Sequence, residues 1–442
     1  MILDSDLPEL KHYRSLERNL PIEFAPHFGA MVVAENNESL PVHRWFKYKE
    51  AYSPNLVWRV LDLFGTPNGE MISIMDPFCG VGTTLLSAQV QPSRVKSALG
   101  IERNPLSAFI ARTKISWPNI TVKQFDKLRE LVLNRSRDRI GALPELSSIR
   151  TGRCISKYIA SRLVAIRDEI LQINECPERD ALLVGLASAI EPLSHVRKDG
   201  RALRTVDRRR KEILPVLSAK WDEIRNDLQT TQSGSSVANV TVFEADGRRP
   251  RQAGVKESSI DVVFTSPPYP NNIDYSEVYK LELWLLGFID TSESFLSLRK
   301  QTLRSHPTSD LASDPDDGFL RALKDPKLAS YFNPLLERTA SFKQSWRKRL
   351  AVGYFSDLWT ALEQQYACLK PGGRSIVVVA NSLHGSHGMA YLIPTDILVS
   401  QIGRTLGFVL ERILIARNTK RRLSGNHFLR ESIVVLRKDY AN

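Results

Sequence analysis

The sequence predicts an α/β protein built on a Rossmann-like, doubly wound sheet. The sheet is mostly parallel with an antiparallel final strand, and is interrupted by a helical insertion and a smaller second insertion. Three observations lead there. A buried-strand pattern, Met71 to Met75, runs into a glycine turn and then an apolar helical stretch from Leu85. Strand, glycine turn and helix form the nucleotide-binding entry of such sheets. A second apolar run, Ile260 to Phe264, stops at Thr265-Ser266-Pro267-Pro268-Tyr269. Further strand patterns at Ser97 to Ile101, Asn239 to Phe243 and Ser375 to Ala380 alternate with helical periods, as a parallel sheet requires.

The first turn reads Asp76-Pro77-Phe78-Cys79-Gly80-Val81-Gly82-Thr83-Thr84. Gly80 and Gly82 let the backbone turn tightly and approach a ligand that a Cβ would block. Thr83 and Thr84 are expected to cap the next helix. No Lys follows the glycines, which argues against a phosphate-gripping P-loop. The incomplete Gly-x-Gly-x-x-Gly spacing argues against a dinucleotide. Glu102 ends the second strand roughly 20 residues on, where a carboxylate is placed to grip ribose hydroxyls, and Asn104-Pro105 follows it. The third strand ends in Glu244-Ala245-Asp246-Gly247, so Asp246 is a candidate to meet an adenine amine. The plainer readings are a surface acid and a turn Asp.

Two prolines in succession fix φ and remove two backbone donors, so neither strand nor helix can continue. The loop becomes a stiff rim at the carboxyl end of a strand, where open α/β sheets bind ligands. Its hydroxyl, bare carbonyls and aromatic face suit a flat base with an exocyclic amine. The plainer reading is a loop that only ends a strand.

The turn Asp76 to Thr84 and the loop Thr265 to Tyr269 together resemble those of the S-adenosylmethionine-dependent DNA amino-methyltransferases, which methylate N6 of adenine or N4 of cytosine. The resemblance implies that Asp76, Pro77, Phe78, Gly80, Gly82, Thr83 and Thr84 hold S-adenosyl-L-methionine, with Glu102, Asn104 and Asp246 along the same cleft. It implies that Ser266, Pro267, Pro268 and Tyr269 form the catalytic loop holding the target base. The segment His43 to Pro54 resembles the family's additional cofactor motif, which brings in Tyr48 and Ser53. Phe355 to Leu369, Lys370-Pro371-Gly372-Gly373, and the pair Phe408 to Ala416 and Glu431 to Leu436 resemble its closing helix, turn and strands. A Ser at position 266 resembles the N4-cytosine branch, whereas Asp there typifies N6-adenine enzymes. The cofactor motif precedes the catalytic motif, although many N4-cytosine enzymes have the reverse order.

The implied activity is site-specific DNA methylation at cytosine N4, by direct displacement on a flipped base, with no metal. An N6-adenine product, an RNA base methyltransferase and an inactive cofactor-binding nucleic-acid module remain open alternatives. Cytosine C5 chemistry needs a thiolate, and that family's thiol follows a proline. None of Cys79, Cys154, Cys176 and Cys368 has a preceding Pro or Cys-x-x-Cys spacing, which also argues against zinc. Cys79 reads as a small packing residue.

Composition points to the partner. The 442 residues carry a net charge of +12, which suits a polyanion, here double-stranded DNA. Arg197, Lys198, Arg201, Arg204, Arg208, Arg209 and Arg210 cluster in one short segment, expected either to lie near phosphate or to be a solvated face. The resemblance leaves room for a restriction endonuclease partner. No apolar run is long enough to span a membrane, the N-terminus lacks a signal-peptide pattern, and few cysteines fit a reducing cytoplasm. The expected division is catalytic segments 1–118, 237–289 and 354–442, a helical insertion 119–236 that is a candidate DNA-recognition region, and a second insertion 290–353.

Overall fold

The computed structural model describes residues 7–64, 70–144, 149, 153–199, 202–207, 211–231, 237–310, 317–385, 389–419 and 428–440. The strands described are β1 (Ile22–Phe24), β2 (Ile72–Asp76), β3 (Val95–Glu102), β4 (Val196–Asp199), β5 (Ala202–Thr205), β6 (Asn239–Glu244), β7 (Ile260–Thr265), β8 (Leu369–Ala380), β9 (Ser382–His384), β10 (Tyr391–Ile393), β11 (Phe408–Asn418) and β12 (Arg430–Lys438). Eight of them form one sheet in the order β1-β11-β12-β8-β7-β2-β3-β6. Only β12 runs antiparallel to its neighbours; the other neighbouring pairs are parallel. The predicted sheet is therefore present, with β1 added at its edge.

Side-chain alternation along the strands builds two cores. Ile74, Val262, Phe264, Ile376 and Val378 point to one face, against Leu56, Val57 and Leu85. Met75, Val263, Val377 and Val379 point to the other, against Phe355, Leu358 and Ile397. Burial on both faces explains why the central strands read as near-continuous apolar runs. The strand order reverses between β2 and β7, which pair at Ile74↔Val262 and Met75↔Val263. The glycine turn and the Ser-Pro-Pro-Tyr rim thus leave adjacent strands at the sheet's topological switch point, where such folds bind ligands.

The first insertion forms helices Val122–Ser136, Lys157–Leu171, Pro177–Leu193 and Ile213–Thr231. Within its basic segment, Val196–Asp199 and Ala202–Thr205 pair antiparallel as β4 and β5. The insertion's core is continuous with Val81, Leu86 and Ile110 beside the glycine turn, and with Leu281 and Trp284 after the catalytic loop. It is welded to the site rather than tethered to it. The expected second boundary at residue 353 falls inside the continuous helix Trp346–Cys368. Gly353 sits inside this helix with Arg304 packed against it, and the apolar face runs on through Leu350, Ala351, Tyr354 and Phe355. Among the described residues no helix is long and apolar enough to cross a membrane.

Candidate functional site

At the switch point, residues from both motifs line one cleft of about 970 Å³, open mouth included. Tyr48, Phe78, Gly80, Thr83, Glu102, Asn104 and Asp246 line it from the cofactor side, and Ser266 and Pro268 from the catalytic loop.

The turn is built from its glycines. Gly80 has φ +52° and Gly82 φ +88°, a region where a side chain is strained. Gly82 itself occupies the N-cap of helix Thr83–Gln89, without a side-chain cap. The expected capping by Thr83 and Thr84 is therefore corrected, because both lie inside the helix. The Thr84 hydroxyl instead donates to Asp76 Oδ2 and meets the Tyr52 hydroxyl, while Phe78 N–H donates to Asp76 Oδ1 at 3.1 Å. Asp76 is buried and does not line the cleft. Burial pushes its carboxyl up while these donors oppose the shift. Asp76 and Thr84 brace the turn from beneath. Pro77 also lies below, its carbonyl held where only Gly247 leaves space. Ser53 is absent from the lining as well; its N–H donates to the Met31 carbonyl at the start of helix Pro54–Phe64. Cys79 is buried and packs against Gly100.

Glu102 faces the cleft with both oxygens engaged. Gly80 N–H donates to Oε2 at 2.9 Å and Asn104 N–H to Oε1 at 2.7 Å. Burial pushes its carboxyl up to about 7, against these hydrogen bonds. Asn104 caps helix Pro105–Ile115 by accepting from Leu106 and Ser107 N–H, so its side chain is committed to structure. Asp246 is held by Arg248, whose guanidinium also donates to Asp357 at 2.9 Å. Arg304 binds the same Asp357 through its backbone N–H and side chain.

On the catalytic side, Ser266 Oγ donates to the Tyr269 hydroxyl at 3.3 Å. Pro268 lines the cleft; Pro267 and Tyr269 do not, Tyr269 standing behind Ser266 at the cleft's edge through their hydrogen bond. Burial, then the Glu431 charge, push the Tyr269 phenol up. His384 holds the loop's continuation. Its Nε2–H donates to the Pro270 carbonyl at 2.6 Å, its Nδ1 accepts from Asn272 Nδ2 at 3.2 Å, and its ring stacks on Tyr391.

Sequence reasoning missed the strap formed by the second insertion, which contributes Gln301, Thr302, Leu303, Ser305 and His306 to the cleft wall. Asp274 ties this strap down, accepting from Arg299 Nε at 2.7 Å and Thr308 Oγ1 at 3.0 Å, with His306 Nδ1 at 3.6 Å. No spacing signals these contacts, because insertion and loop meet only in three dimensions. Arg248, two residues from Asp246 at a strand end, was the one findable signal.

The basic segment divides. Arg197 and Arg204 are exposed and directly opposite each other on the hairpin. Lys198 is a correction. It is buried, ion-paired to Glu282 at 2.5 Å and seated over the Tyr279 ring at 4.3 Å, so it does not present its charge to a phosphate chain. Arg201, Arg208, Arg209 and Arg210 lie outside the described residues.

No family model matches the chain. It is 27% identical to type II methyltransferase M.AvaI of Nostoc sp., over 98% of this chain and 95% of that one. It is 23% identical to M.BsoBI of Geobacillus stearothermophilus over 92% and 88% of the two chains, and 22% identical to M.MvaI of Kocuria varians over 90% and 91%. Among solved structures, an rRNA methyltransferase, aviRa of Streptomyces viridochromogenes, aligns over 94% of this chain and 88% of its own at 11% identity. Its TM-score of 0.30 is too low a likeness to bear on function. The fold is a Rossmann-like, doubly wound α/β sheet. The chain is a relative of the type II DNA methyltransferases, a family of S-adenosylmethionine-dependent enzymes.

Proposed function

We propose that this chain methylates the exocyclic N4 amine of cytosine at a specific site in double-stranded DNA. The observation that carries the reading is that Ser266 and Pro268 open into the same cleft as Gly80, Glu102 and Asp246. S-adenosylmethionine supplies an activated methyl group. The residues present fit it: a cradle at Gly80 that a side chain would strain, a carboxylate at Glu102 and an Arg-fixed carboxylate at Asp246.

The N4 lone pair is delocalised into the base, so the amine is a weak nucleophile. Acceptors on its N–H groups draw the nitrogen toward tetrahedral geometry. Ser266 Oγ donates its proton to Tyr269 and so keeps its lone pairs for the amine. Pro267, expected from the sequence to supply a second acceptor, is buried and outside the cleft lining, so Ser266 is the acceptor that faces the amine. Tyr269 stacks on the base after it leaves the duplex. His384, by holding the Pro270 carbonyl, keeps the rim in place. Catalysis is then positioning and electrostatics, and the proton can leave after transfer.

The test is nucleoside mass spectrometry of genomic DNA from cells expressing the chain, against Ser266→Ala. N4-methylcytosine present in one and absent in the other supports the reading. N6-methyladenine overturns the cytosine assignment alone. Methylated RNA with unmodified DNA overturns the DNA substrate.

A further inference from the structure

A second concave site lies on the far side of the cleft's aromatic wall. It encloses about 1000 Å³, open mouth included, between the segment after Trp45 and the first insertion, and is lined by Lys47, Lys49, Arg197, Lys198, Lys211 and Lys220. The carboxylates in its lining are Glu191 and Glu282. Lys198 pairs with Glu282 at 2.5 Å, Lys220 with Glu223 at 3.3 Å and Lys47 with Glu38. Among the described residues, no ion pair joins Arg197 or Lys211 to a carboxylate. Arg197 moreover stands directly opposite Arg204 in the β4–β5 register. Like charges in that position repel, which adds to the positive potential at the pocket's Arg197 side.

The pocket is coupled to the cleft through packing. Lys198 Nζ sits 4.3 Å from the centre of the Tyr279 ring. Tyr279 stacks on Tyr48 at 5.0 Å and 11°, and Tyr48 lines the cofactor cleft. An anion held here is two aromatic rings from the cofactor cleft.

We propose that this pocket binds a backbone phosphate of the DNA substrate, with Arg197 and Lys211 as its free cations. The proposal rests on the DNA-methyltransferase reading. An arginine fork matches a phosphodiester in geometry as well as charge, and a chain of net charge +12 gathers its partner through such contacts.

The experiment uses the full chain and its Arg197→Ala/Lys211→Ala variant, both changes being at exposed positions. Fluorescence anisotropy with a labelled mixed-sequence duplex is measured from 50 to 300 mM salt, and S-adenosylmethionine binding is measured by calorimetry as a control. Each lost phosphate contact removes about 0.9 from the slope of log K against log salt. The variant is therefore expected to lose about 1.8 in slope with cofactor affinity unchanged. An unchanged slope overturns the pocket and leaves the enzyme reading standing. A wild type that binds no duplex overturns the DNA substrate and this proposal with it. Inorganic phosphate added to 10 mM at constant ionic strength separates the sources. Loss of the wild-type slope excess under that treatment means the pocket prefers the free anion, and overturns the DNA assignment.

Discussion

Cofactor affinity is predicted to depend on pH through Glu102. Its carboxyl is pushed up to about 7 by burial, and a raised acid favours the protonated folded state. The sign for stability follows. The contribution is fully present below the ordinary value of 4.5 and is lost as pH rises through about 7. Cofactor binding has the opposite sense, because ribose hydroxyl donors and a sulfonium charge both favour the carboxylate. With a value near 7, about one-tenth of the carboxyl is ionised at pH 6 and about nine-tenths at pH 8. The dissociation constant should therefore fall about tenfold from pH 6 to pH 8 and then level off. Calorimetry in two buffers of different ionisation enthalpy should register nearly one proton released per cofactor at pH 6. Glu102→Gln should bind more weakly at every pH and show no slope. Its amide must turn an NH₂ toward the N–H of Gly80 or Asn104, costing about 1.5–3 kcal/mol. A wild-type affinity constant within twofold across this range refutes the argument.

The other predictions address separate parts of the site. Tyr269→Ala should cut kcat by about a hundredfold or more, roughly 2.7 kcal/mol of lost positioning, with cofactor affinity unchanged; equal loss of cofactor binding would show that Tyr269 serves the cradle. Thr84→Val removes a donor to buried Asp76 and should lower stability by about 1–3 kcal/mol, read from urea unfolding. Arg248→Met should weaken cofactor binding by releasing Asp246, measured by calorimetry, and Arg248→Lys should recover little because one ammonium cannot span Asp246 and Asp357. His384→Ala should lower kcat more than it raises the cofactor dissociation constant, as single-turnover methylation would show.

The sheet was legible because central strands buried on both faces carry unbroken apolar runs, as Ile260 to Phe264 does. The cleft was legible because its makers cluster at strand ends. What sequence reading mistook was the division of labour inside a motif. Asp76, Pro77 and Thr84 sit in the expected stretches yet hold the turn from below, Ser53 only opens the helix Pro54–Phe64, and no spacing distinguishes a residue that touches a ligand from one that serves the frame. Lys198 was misread for a related reason. Charge is visible in a sequence, but Glu282 arrives from a segment more than eighty positions away. The strap over the cleft was invisible for the same cause, as its anchor Asp274 reads locally as an ordinary helix cap.

The pairing of Ile22 with Ile413 at the sheet edge, and of Glu17 with Arg430 close by, bears on how the molecule is made. Synthesis proceeds at about 5–20 residues per second, so β1 leaves the ribosome roughly 20–80 seconds before its partner strand exists. Within that interval β7 waits about 6–23 seconds for β8 to be completed, and the apolar face that later meets Phe355 and Ile397 is bare. The ligand cleft can be shaped by β2, β3, β6 and β7 while the sheet beside it is still unfinished. A nascent chain is thus a half-built sheet with an open edge, and chaperone dependence should peak between completion of β7 and emergence of β12.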